Sequence, residues 1–139
     1  MKALSPDGNA QLVSMTAPNC DKSPECAVYY EKKFYVSYPQ AHCIKVFDKI
    51  GVYIHDIGCE GSNNVQFSCP VGLVIDKCNR LIVCDVYNQR LQLFTLSGKF
   101  LSKLKGEWFC DSPLHAAINL NSGTLVVSPF SGNHIYVFH

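Results

Sequence analysis

Short apolar runs separated by polar turns recur along most of this chain, and none has the length or spacing of an amphipathic helix. The stretch from Phe67 to Phe100 shows the pattern most fully. Residues 71–76 form a β-branched run, 77–80 a polar turn, and 81–84 a second apolar run of the length of a buried strand. The polar stretch 85–89 interrupts it. Residues 90–94 then alternate with period two, Ser97-Gly98 supplies a tight hairpin, and 99–101 opens a fourth strand. The pattern predicts four antiparallel strands in one small sheet.

The same order of elements occurs twice more. From Glu25 the chain reads CAVYY, the charged turn Glu31-Lys32-Lys33, FYVS, the loop 38–42, Ile44-Lys45-Val46-Phe47, a turn ending at Gly51, and Val52-Tyr53-Ile54. Phe47, Gly51 and Tyr53 repeat Phe94, Gly98 and Phe100, each at the same offset. A third copy has strands at 114–118, 125–127 and 135–138. Four short strands per period of about 40–50 residues is the signature of a β-propeller. The fold class expected is all-β, a partial propeller of about three four-stranded antiparallel blades, at about 25–57, 67–105 and 113–139. Residues 1–24 form a lead-in whose 11–15 stretch is a candidate closing strand. A ring needs at least four blades. The expectation is therefore roughly half a ring, belonging to a longer chain or completed by self-association through open blade faces.

Composition narrows the class. The chain has 139 residues, 47% hydrophobic and 17% charged with formal charge +1, which is globular and not strongly suited to nucleic acid. No run approaches the roughly 18 apolar residues of a membrane span, and the amino terminus has no signal-type apolar core, so no membrane partner and a cytoplasmic address are expected. Eight cysteines are numerous, but none are spaced C-x-x-C and several fall in strand runs, which reads as reduced thiols serving as small hydrophobes.

The segment 58–98 carries a more specific signature: Gly58, Gly61, Gln66-Phe67, Pro70-Val71-Gly72, Asp76, Asp85, Asn88-Gln89-Arg90, Phe94 and Gly98. In that order these elements resemble the NHL-repeat propellers. The first copy has Tyr38 and Cys43, and the third Pro129 and His134, where the middle copy has Asp85 and Arg90. The resemblance implies a six-bladed ring for the complete family member. It also implies a parent of the tripartite-motif kind, in which RING and B-box domains transfer ubiquitin and the propeller chooses the target. Some relatives bind single-stranded RNA, and some NHL-like propellers are zinc-dependent lyases acting on amidated-peptide precursors.

The residues favour binding over catalysis. Gly72, Asp76, Asp85, Arg90, Phe94 and Gly98 read as structural blade residues, with Asp85 and Arg90 flanking one loop as a turn-fixing ion pair. His42, His55, His115, His134 and His139 form no metal-ligand spacing, and nucleophile-elbow, phosphate-loop and paired-carboxylate motifs are absent. No cofactor is expected.

Propellers present two rings of loops. On one face the expected binding residues are Tyr38, His42, Tyr87, Asn88, Gln89, Phe130, Asn133 and His134, with Gln40, Phe67 and Glu107-Trp108-Phe109 nearby. The hairpins carrying Lys32, Lys33, Lys49, Lys77, Arg80 and Lys99 belong to the other face and read as a solvated surface. Aromatic and amide side chains suit either a peptide anchor or unpaired RNA bases. Glu60, Glu107 and Asp111 on the aromatic face disfavour the phosphate backbone, so a protein or peptide partner is expected ahead of RNA.

Overall fold

The computed structural model describes residues 2–4, 10–12, 14–106 and 111–139, the first two groups as backbone only. The chain is all-β. After a short hairpin of β1 (Lys2–Leu4) and β2 (Ala10–Leu12), three antiparallel sheets follow in sequence order. The first contains β3 (Ala27–Tyr30), β4 (Lys33–Tyr38), β5 (Cys43–Asp48) and β6 (Tyr53–Ile57). Two-residue strands β7 (Cys59–Glu60) and β8 (Gln66–Phe67) pair in parallel within the linker. The second sheet is β9 (Pro70–Ile75), β10 (Arg80–Asp85), β11 (Arg90–Thr95) and β12 (Phe100–Lys105). The third shows β13 (Pro113–Ile118), β14 (Leu125–Pro129) and β15 (Tyr136–Phe138). Each sheet is a meander with strands in chain order, which makes it a propeller blade.

The expected closing strand falls partly outside the described residues. Of its described residues, Gln11 and Leu12 belong to β2 and pair with β1 rather than with β15, while Ser14 and Met15 are in no strand.

The blades repeat in detail. Phe47 lies opposite Tyr53 and Phe94 opposite Phe100, each just after a break in strand register at the preceding residue. Their rings meet edge to face at 6.0 and 6.2 Å. Gly51 and Gly98 close the two hairpins at φ 92° and 97°, a region costly to residues with a Cβ, and donate to the Asp48 and Thr95 carbonyls.

Strand alternation sends every second side chain to each blade face, so the core consists of interfaces. Tyr35, Ile44, Val46 and Ile57 of the first blade meet Phe67, Leu73, Leu81, Val83 and Phe94 of the second. On its other face the second blade packs Val74, Ile82, Cys84 and Leu91 against Leu125 and Val127. The outward face of the first blade carries Phe34, Val36, Tyr38, Cys43 and Phe47, covered by Ala17, Met15 and Cys20 of the lead-in. Ser37 Oγ donates to the Val71 carbonyl at 2.7 Å, joining two blades where both are buried. A Cβ on Gly72 would lie 2.7 Å from the Leu114 carbonyl oxygen, so the close approach of β9 to β13 requires glycine there.

Candidate functional site

Asp85 ends β10 and Arg90 begins β11, so antiparallel pairing sets them opposite each other. Arg90 Nε donates to Asp85 Oδ2 at 2.8 Å, with both side chains essentially buried. The remaining guanidinium donors reach the carbonyls of Ser62, Asn63 and Gln66 in the linker from the first blade. Asp85 also accepts from Ser68 N, Asn88 Nδ2 and Gln92 Nε2. The pair thus satisfies linker backbone groups that would otherwise be buried without partners.

Asp76 serves the opposite rim. Its Oδ1 accepts from Cys78 N and Arg80 N, and its Oδ2 from Arg80 Nε, which fixes the β9–β10 turn.

The first blade fills the equivalent region with a different ion pair, unforeseen from the sequence. Lys45 occupies the position of Gln92, buried, and its ammonium meets Asp56 at 2.9 Å directly across the β5–β6 register. Tyr38 and Tyr53 place their rings 5.7 and 5.6 Å from that ammonium, and Tyr53 Oη donates to Asp56. Burial alone would pull Lys45 down, but the Asp56 hydrogen bond and neighbouring acidic groups leave its pKa raised. A lysine at an inward position of an alternating strand, with an aspartate on the next strand, was the available signal.

The expected loop-face residues therefore separate. Tyr38 is only 4% exposed and belongs to the core around Lys45, so its ring is not available to a partner. Asn88 Nδ2 is occupied by Asp85 and the Gly61 carbonyl. His42 is half-buried in a left-handed backbone position, and its Nδ1 accepts from Cys69 N at 3.0 Å. That acceptor role places the ring proton on Nε2, which faces Glu60 at 3.8 Å. Burial pushes the Cys69 thiol up, partly offset by a hydrogen bond from Tyr87.

Tyr87 and Phe130 remain open, at 65% and 60% exposure. Both have fixed backbones: Tyr87 N donates to the Ser68 carbonyl and Phe130 N to the Ser112 carbonyl. Gln89, Asn133 and His134 are exposed beside them. His134 Nε2 lies 3.0 Å from Tyr136 Oη and 3.5 Å from Asp111. The Glu107-Trp108-Phe109 stretch lies outside the described residues.

Asp21, Glu25 and Glu60 are exposed on this face and Asp111 is half-buried, while Lys22 pairs with Asp21. The basic side chains within it, Lys45 and Arg90, are buried in ion pairs; Lys103 and Lys105 stand on the outer strand β12. Among the described residues no three His, Cys, Asp or Glu side chains converge as a metal site.

Residues 67–94 match the NHL repeat. A 46-residue stretch is 41% identical to Protein lin-41 of Caenorhabditis elegans, covering 33% of this chain and 4% of that protein. The fold is similar to virginiamycin B lyase from Staphylococcus aureus, with a TM-score of 0.72 at 14% identity over 96% of this chain and 43% of the other. It is also similar to an auxiliary nutrient binding protein from Bacteroides ovatus, with a TM-score of 0.64 at 12% identity over 91% and 39%. The chain thus spans less than half the length of these proteins. The solved structures bear out the propeller-type fold.

Proposed function

From the NHL repeat in the second blade, we propose that the chain is a non-catalytic interaction module whose loop face binds a protein or peptide. The observation that carries this reading is the pair of exposed aromatic rings, Tyr87 and Phe130, standing on backbones pinned by hydrogen bonds. Rings that need little ordering on binding contribute most of their contact area as affinity. The proposal includes a tripartite-motif parent, in which this surface selects a substrate for ubiquitin transfer performed by domains outside this chain.

Single-stranded RNA is the second reading, favoured by the same two rings. The charge around them weighs against it, since Glu25 and Glu60 stand exposed there. Fluorescence anisotropy with a uridine-rich single-stranded RNA between about 50 and 200 mM salt separates the readings. The proposal expects no binding that depends on Tyr87. Tight binding that falls steeply with salt and disappears in Tyr87→Ala would replace it with the RNA reading.

A further inference from the structure

The lead-in occupies a position that could be made permanent. Residues 14–20 lie on the outward face of the first blade, where Ala17 is buried and Met15 and Cys20 pack against the cluster containing Phe34, Phe47 and Cys43. At the edge of this contact is a cleft of about 330 Å³. Cys20, Cys43, Lys45, Asp56 and Cys59 contribute to its lining. Lys45 Nζ is held by Asp56, and Cys20 is close enough to act electrostatically on both Cys43 and Lys45. Two sulfurs from segments far apart in sequence therefore share one cleft beside a held ammonium group.

We propose that Cys20 and Cys43 are a peroxide-responsive thiol pair, whose disulfide fastens the lead-in onto the first blade. Cys20 is half-buried and opens to the cleft, so it is the thiol that peroxide reaches first. Its sulfur attacks one oxygen of hydrogen peroxide, forming the Cys20 sulfenic acid and releasing one water. The Cys43 sulfur then attacks the sulfenic sulfur; the S–O bond breaks, the S–S bond forms, and the departing hydroxide takes the Cys43 proton as a second water. Two thiols and one peroxide thus give one disulfide and two waters.

Cys43 is the less accessible of the two thiols. It is 4% exposed, and burial pushes its thiol up to about 11, which protects it from direct oxidation. Cys59 is exposed in the same cleft but lies outside the apolar cluster that contains Cys43 and packs against Cys20. The bond would close a loop of the first blade and its lead-in, restricting the unfolded chain as well as the folded one.

The test uses the full chain, treated with hydrogen peroxide under native conditions, alkylated, and cleaved with trypsin without reductant. Cleavage after Lys22 separates the two cysteines unless they are bonded. Mass spectrometry is expected to show the Cys20 peptide joined to the Cys43 peptide as the main linked product, released by reductant. Cys20→Ser should abolish it and Cys59→Ser should leave it intact. These two positions lie outside the blade core, so the comparison stands even where Cys43→Ser fails to fold. A main Cys20–Cys59 link, links only between chains, or Cys20 ending as sulfinic or sulfonic acid without a disulfide would each overturn the proposal.

Discussion

Arg90 Nη2 donates to the main-chain carbonyl of Gln66 over 2.8 Å, which ties the third strand of the second blade to the linker entering it. The contact explains why a buried charge occurs at this point: the guanidinium fork bonds Asp85 and three linker carbonyls together. Tyr87, between the two ion-paired residues, is left to face solvent from a fixed turn.

Replacing Arg90 with methionine strands the buried Asp85 carboxylate and three carbonyls. The expected loss is about 3–5 kcal/mol, the range for removing one partner of a buried pair. Urea unfolding at neutral pH measures it, with Arg90→Lys expected to fall between wild type and Arg90→Met.

Lys45→Met should behave differently, although Lys45 is also buried. Asp56 is exposed enough to rehydrate, and methionine fills the space between Tyr38 and Tyr53. The expected cost is about 1 kcal/mol, from lost cation–π and hydrogen-bond contacts. The same unfolding series shows whether the two blades differ in this way.

Gly72→Ala should destabilise the boundary between the second and third blades. The added carbon would meet the Leu114 carbonyl oxygen at 2.7 Å and the His115 Cα at 2.8 Å, both backbone atoms that cannot rotate away. A loss of about 1–3 kcal/mol is expected. Faster amide exchange in β13 and β9 would localise it.

Alkaline pH should unfold the protein through its buried thiols. Burial pushes Cys43 from 9.0 up to about 11 and Cys84 up to about 12. In the unfolded chain these thiols ionise near their ordinary value, so above pH 9 the unfolded state binds fewer protons and stability falls. The contribution is fully present below that pH and is lost upward toward about 11 and 12. Each thiol adds a slope of about 1 kcal/mol per pH unit within its window. Urea midpoints from pH 8 to 11 should decline, and less steeply in Cys84→Ala.

The blades were legible because both signals behind them are local. Period-two alternation and turn residues marked the strands, and Phe47 and Phe94 repeated at the register their strands adopt. The second blade was read most fully because Asp85, Asn88 and Arg90 stand in one loop. Tyr38 was misread as available because a strand-end aromatic looks the same whether it faces solvent or a buried lysine on the neighbouring strand. Lys45 with Asp56 depends on the register of the β5–β6 hairpin, and Cys20 beside Cys43 on how the lead-in packs, neither of which composition encodes.

The most direct test of the central claim is to pan a random-peptide display library on the folded chain and titrate the enriched peptides against variants. The account predicts an enriched sequence family whose affinity drops at least about tenfold in Tyr87→Ala and in Phe130→Ala, with thermal stability unchanged in both. Enriched peptides that bind both variants as tightly as wild type would contradict it.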